Sequence, residues 1–421
     1  MTMKKIFTMQ LTGLFVLILL ANGFGQTLIK KGDYWIGTIE KSFKVKPGGK
    51  LIMEKVKGDI DVQTWDQNSV NIHEIKKMDI FTESEAKAAM DASDTGYSLK
   101  DNTIYIGGPA FDRNWITSDF EIKVPEEFNC ELSTKGGDIT VSKVKGSVEA
   151  SSGGGDIEVR SVQGPVDLKT GGGDIEIVNT TSTVEAKSGG GEVSVSGSTG
   201  SVNVMTGGGD VSVSRTDDEV KVTTGGGDVE ISYTKGNTSV TTGGGDIDIN
   251  DAGGNVKATT GGGDIDISHV SGHFKASTGG GDVDANDISG SISISTGGGD
   301  IDAEGIKGAA DLSTGGGDVV SQITLTDFSV DHHINISTGG GDIDLTIPAK
   351  LPATVDATIK FKEKGWEKYD ITSDFPLTIS KKSDDSHYQI IQAKGDINGG
   401  GDQIMLKTGG GDIHIRKLKS K

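Results

Sequence analysis

Residues 170–174 read Thr-Gly-Gly-Gly-Asp, and the same motif returns along most of the chain. Its acid falls at Asp138, Asp156, Asp174, Glu192, Asp210, Asp228, Asp246, Asp264, Asp282, Asp300 and Asp318, each 18 residues after the last. Asp342 follows after 24, which places a six-residue insertion near Ile323 to Phe328, and Asp412 closes the series. Glycines followed by a carboxylate could cradle a phosphate, but this motif lacks the Gly-Lys-Ser/Thr ending and precedes a strand rather than a helix. A dinucleotide fingerprint fails on the same ground. A calcium β-roll wants Gly-Gly-x-Gly-x-Asp, and Gly171-Gly172-Gly173-Asp174 puts the acid where another glycine belongs. The plainest chemistry left is a turn whose carboxylate accepts backbone N–H groups.

The acids also act as a set. Asp246 and Asp248, Asp264 and Asp266, Asp282 and Asp284, and Asp300 and Asp302 form Asp-x-Asp pairs in four successive repeats, read here as eight carboxylates on one outward face. Stacked strands would hold neighbouring charges ~4.8 Å apart, where they repel by about 0.9 kcal/mol in water. Amide hydrogen bonds, cations between repeats or retained protons would each relieve that repulsion. Calcium is the one cofactor these eight residues could hold. The competing expectation is a solvated acidic face that keeps the array soluble, with no cofactor. No catalytic residues are expected. The outward bases Arg160, Lys169, Lys187, Arg215 and Lys221 are scattered. His269 and His273 sit across a turn, and His332 and His333 are neighbours that would point oppositely in a strand, so neither pair has metal-site spacing.

These side chains need a repeating scaffold. Within each unit Gly173-Asp174-Ile175-Glu176-Ile177 is matched nine residues earlier by Gly164-Pro165-Val166-Asp167-Leu168. Both alternate with period two, the mark of a strand. Ile175 and Ile177 share one face, with Asp174 and Glu176 opposite; Val166, Leu168 and Thr170 share a face in the second strand. The glycines are expected to supply positive φ at the turns, with Ser182 and Asp218 standing in at the second turn of two units. An antiparallel meander would leave its apolar face bare. A two-sheet parallel β-solenoid folds that face inward, so the expected class is all-β, with 18-residue coils stacked on one another and irregular caps at both ends. A triangular left-handed helix would need a six-residue apolar period and is set aside.

Around the array, residues 26–127 read as a lead-in, with an early copy at Gly58–Val62 and one helical stretch, Phe81–Met90. Regular coils occupy 128–345, with Cys130 and Leu132 inward. Residues 346–421 hold an irregular segment with Trp366 and Tyr369, then a last coil carrying Ile404, Leu406, Thr408, Ile413 and Ile415.

The lead-in Gly58-Asp-Ile-Asp-Val-Gln-Thr-Trp65, the segment Phe120 to Val141, the repeated Thr-Gly-Gly-Gly-Asp-Ile and the closing Leu406 to Ile415 resemble a bacterial domain-of-unknown-function family of candidate adhesins. The likeness spans roughly residues 40–418. It implies a β-helical fold and brings no catalytic residues. This array is more uniform than the family's usual pattern.

The first 25 residues read as a secretory leader: Lys4 and Lys5, a short apolar run from Leu11 to Leu20, and Gly23 and Gly25 before cleavage between Gly25 and Gln26. That run is too short to span a bilayer, and the leader's ending resembles those of Bacteroidetes-type bacteria. A net charge of −20 argues against nucleic acid and anionic lipid as partners. The expected protein is an extracytoplasmic monomer, periplasmic, surface-held or secreted, without a membrane span after leader removal. It would act as a non-enzymatic structural or adhesion-type module that meets a surface glycan or protein. The alternatives are a calcium-stabilised extracellular module and a polysaccharide-active β-helix enzyme.

Overall fold

The structure, a computed structural model, describes residues 26–92, 95–108, 115–362, 368–383 and 388–419. The leader with Gly25, and Trp366, lie outside them.

Every 18-residue unit contributes one strand to each of two sheets. Ile175–Thr180 lies between Ile157–Val162 and Val193–Ser198 in the first sheet. Val184–Ser188 lies between Val166–Thr170 and Val202–Thr206 in the second. All these pairings are parallel with a register of 18 residues, so identical positions stack in columns: Ile157, Ile175 and Val193, for example. The inward columns are valine, isoleucine, leucine and alanine, nearly all under 3% exposed, and they form one continuous core between the sheets. This is the expected parallel β-solenoid, and the face assignment holds: Ile175, Ile177, Val166, Leu168 and Thr170 are buried.

The positive φ angles do not sit where expected. None of the glycines in the Thr-Gly-Gly-Gly-Asp turns adopts one, nor do the second-turn glycines. In the regular array they fall in a separate column in or just after the first-sheet strands: Lys143, Ser161, Asn179, Gly197, Arg215, Tyr233, Asp251, His269, Asp287 and Gly305. The reason is parity. A strand alternates in and out, and each half-unit spans nine residues, an odd number. At Ser161 (φ 56°) the alternation breaks: Ile157 and Val159 point in, Arg160 and Ser161 both point out, and Val162 points in again. The ladder skips Ser161 accordingly, pairing Arg160 with Val178 and Val162 with Thr180.

At both ends spatial order departs from chain order. Ile60–Trp65 lies between Ile116–Pro125 and Ile139–Ser142, so the first coil in the chain is covered by a later one. Asp402–Thr408 lies between Ile334–Thr338 and Ala353–Phe361. The coil expected to end the stack is therefore inserted one place inside it, and the segment before it forms the cover. Antiparallel strands finish the second sheet at both ends and the first at its N-terminal end, Ile371–Ser373 closes the first sheet in parallel, and a helix, Glu83–Ala92, packs over a smaller core of Ile39, Met78, Ala86, Ala89, Met90 and Ile116. Three outermost strands, Gln26–Lys31, Gly96–Lys100 and Thr378–Ser383, end in or near lysines (Lys30 and Lys31, Lys100, Lys381 and Lys382). Charge there discourages pairing with another chain.

Candidate functional site

The repeated turn is held by two side-chain ladders. In the first, each acid bonds the backbone of the next coil. Asp156 N–H donates to Asp138 Oδ1 at 2.8 Å, Asp174 N–H to Asp156 Oδ1 at 2.7 Å, and Glu192 N–H to Asp174 Oδ1 at 2.8 Å. After Glu192 the chain of bonds resumes at Asp210 and continues through Asp228, Asp246, Asp264, Asp282, Asp300 and Asp318 to Asp342 and Asp412. It extends into the caps: Asp119 accepts from Asp59, Asp59 from Asp138, and Asp412 from Asp370. The longer side chain of Glu192 is the one position in the regular array where this bond is missing among the described residues.

In the second ladder the hydroxyl before the glycines works both ways. Thr170 Oγ1 donates to the Gly155 carbonyl of the preceding coil at 2.7 Å and accepts the N–H of its own Gly173 at 3.3 Å. Thr260, Thr278 and Thr296 repeat the arrangement. These hydroxyls are almost fully buried, and leaving one unpaired would cost about 1–3 kcal/mol.

The glycines answer to space. A Cβ at Gly173 would lie 2.2 Å from the Gly155 carbonyl oxygen, and one at Gly171 would lie 2.1 Å from that of Gly153, whereas at Gly172 it meets nothing within 4 Å. The outer two glycines let successive coils stack in backbone contact; the middle one is free. Lys135 occupies the first-glycine position in the earliest regular coil.

The eight calcium candidates divide into two columns. Asp246, Asp264, Asp282 and Asp300 belong to the turn ladder, each with Oδ1 occupied by an amide. Asp248, Asp266, Asp284 and Asp302 stand two residues on, on the exposed face of the first sheet, stacked directly. Desolvation, then the neighbouring Asp284, raises the Asp266 carboxyl above the ordinary aspartate value. Desolvation, then Glu304 and Asp284, does the same for Asp302. Among the described residues no three carboxylate, imidazole or thiolate groups converge as a metal cage.

The two outer faces differ in charge over the same coils. The first sheet presents Glu230, Asp248, Asp266, Asp284, Asp302 and Glu304, with Arg215 and His269 at the positive-φ positions of the same strands; the second presents Lys221, Lys257 and Lys275 among Ser and Thr, and no acid. Where Ser194 and Ser212 replace acids on the first face, a groove of about 620 Å³ opens between Glu176 and Asp248. Cys130 is buried, which pushes its thiol up to about 12 and leaves it unreactive.

Two features escaped the sequence reading. Glu74 and Lys76 are fully buried 3.6 Å apart, with Thr95 donating to Glu74 at 2.8 Å and Tyr97 also bonded to it. The alternation Val70, Ile72, Glu74, Lys76, Met78 carried that signal. The other is the setting of His332 and His333, a pair visible in the sequence: they lie in a connection, not a strand, with His332 buried and His333 half-exposed.

The ladder, its glycines and the strand register together span the stretch that a family model recognises: Toastrack DUF4097 matches residues 50–249. Over residues 50–249 the chain is similar to the Toastrack family. The resemblance read from the Gly58–Trp65 and Phe120–Val141 segments is thereby borne out. Several solved structures are similar to the chain. A candidate cell adhesion protein from Clostridium sporogenes is 11% identical, with 90% of this chain and 99% of that one covered and a TM-score of 0.15. A candidate adhesin from Parabacteroides distasonis is 13% identical, with 62% and 96% covered and a TM-score of 0.29. A candidate lipid binding protein from the same organism is 12% identical, with 73% and 96% covered and a TM-score of 0.19. No curated protein matches the chain. No helix among the described residues is long and apolar enough to cross a membrane.

Proposed function

We propose that this protein is an extracytoplasmic, non-enzymatic surface module that binds a glycan or protein through its flat outer sheet faces. The observation that carries the reading is the division of labour in each coil. The turn acids and hydroxyls are consumed by coil-to-coil hydrogen bonds, while the outward strand positions present long polar faces, acidic on one side and lysine- and hydroxyl-bearing on the other. Such faces suit broad, repetitive contact with an extended surface. The groove from Glu176 to Asp248 has carboxylates and serines but no lysine, arginine or histidine along its lining, and so lacks the bases that a groove cleaving an acidic polysaccharide would set beside its carboxylates. The test incubates the purified chain with cell-wall and capsular polysaccharides and follows both retention and new reducing ends. Retention without cleavage is expected; turnover of any polysaccharide would replace the module with an enzyme.

A second reading, a calcium-stabilised module, is favoured by the stacked Asp248, Asp266, Asp284 and Asp302, two of which have raised carboxyl pKa values. Cation bridging would relieve the same repulsion.

A further inference from the structure

The six-residue insertion lengthens the connection between Val319–Ile323 and Ile334–Thr338, and it brings two histidines into unusual surroundings. His332 is nearly fully buried. Its Nδ1 lies 2.8 Å from the Val330 carbonyl oxygen and 3.2 Å from Asp402 Oδ2, and its Nε2 lies 3.0 Å from the Pro352 carbonyl oxygen. Its backbone N–H donates to the same Asp402 carboxylate at 2.9 Å. His333 places Nδ1 2.8 Å from Asp331 Oδ1 and Nε2 3.4 Å from Asp311 Oδ2. Every one of these neighbours is an acceptor. A neutral imidazole carries one ring N–H and must turn a lone pair towards the other acceptor; only the imidazolium satisfies both sides.

We propose that the 324–333 connection is a proton-sensitive latch, closed when His332 and His333 each carry both ring protons. Its place in the fold gives it leverage. Pro352 leads into Ala353–Phe361, the covering strand, and Asp402 opens Asp402–Thr408, the strand inserted beneath it. His332 thus joins the insertion to both segments that close the C-terminal end. The charged groups facing the two rings are Asp331 on the connection, Asp311 on Ala310–Thr314, and Asp402; Asn335 donates to Asp311 at 2.8 Å. The Asp331 hydrogen bond, first, and Asp311 hold the His333 imidazolium above its ordinary range. A raised folded value gives stability that is complete below the unfolded value and lost as pH rises through the folded one. Acid therefore tightens this end. His273 provides the contrast: its Nδ1 accepts the Ser291 N–H at 3.0 Å, so its ring faces a donor rather than acceptors alone.

The test uses the full chain. Ring-nitrogen NMR at about pH 6, where histidine ordinarily titrates, should find protons on both nitrogens of His332 and His333. A neutral ring at either position overturns the proposal. Proteolysis within 324–333, corrected with an unstructured peptide, should be about tenfold faster near pH 8 than near pH 6, the worth of one buried hydrogen bond lost. In a His332→Gln, His333→Gln variant the two rates should converge, since Gln does not titrate, while His273→Asn should keep the wild-type ratio. An unchanged ratio in the double variant contradicts the latch. If that variant does not fold, the wild-type NMR result decides alone.

Discussion

Replacing Ile265 by Asp should destabilise the protein by about 4 kcal/mol or more, through lost burial and an unpaired charge in the core. Ile265 is 0% exposed and is stacked between Ile247 and Val283 in the inward column. The core is only two sheets thick, and each neighbour is held by parallel ladders on both sides, so the site cannot open to water without breaking pairings. One residue on, Asp266→Asn should have the opposite sign. Asp266 is exposed and its carboxyl pKa is raised, by desolvation first and then by Asp284, Asp248 and Asp264. A raised carboxyl contributes stability only when protonated, and that contribution is lost as pH rises through the folded value. Asp266→Asn should therefore raise the melting temperature slightly at neutral pH, with the difference from wild type shrinking towards pH 4. Thermal melts across that range give both results. A harmless Ile265→Asp would mean the faces are inverted.

The second large effect concerns the glycines. Gly173→Ala would drive a Cβ to 2.2 Å from one backbone oxygen and 2.4 Å from its carbon, atoms fixed by the ladder of the preceding coil. Overpacking against immobile backbone should cost about 3 kcal/mol or more. Gly172→Ala meets nothing and needs no positive φ, so the smaller entropy of the unfolded chain should make it neutral or stabilising by ~0.5 kcal/mol. Denaturant melts of the two single variants separate these outcomes. Equal losses would mean that the turn selects glycine for backbone angle, as the sequence alone had suggested, rather than for space.

The coil was legible because two periods superpose. Alternation at Ile175 and Ile177 defines a strand, and its return after 18 residues leaves stacking as the way to bury every apolar face. The role of Asp174 was legible only as one of three choices, because its partner, the Glu192 amide, becomes adjacent only once coils stack. The left-handed column was partly visible: Asn179, Gly197, Asp251, His269, Asp287 and Gly305 tolerate positive φ better than most residues. Lys143, Arg215 and Tyr233 in the same column masked it. The interleaved ends were not visible, since periodicity records which residues point inward and not which coil lies next to which. Ile404 and Ile413 match the inward pattern equally well at either place in the stack.

The central claim is that the repeated acids are structural pins between coils. The most direct measurement is the melting temperature of the wild type and of an Asp246→Asn, Asp264→Asn, Asp282→Asn, Asp300→Asn variant, each with chelator and with excess calcium. Asn keeps a side-chain oxygen for the amides that these residues cap, and it removes the like charges. The account predicts that the variant melts at or above the wild-type temperature in chelator, and that calcium moves neither protein appreciably. A calcium-dependent rise in the wild type, growing with concentration as expected for a ligand of the folded state and absent from the variant, would contradict it and make the ladder a cation site.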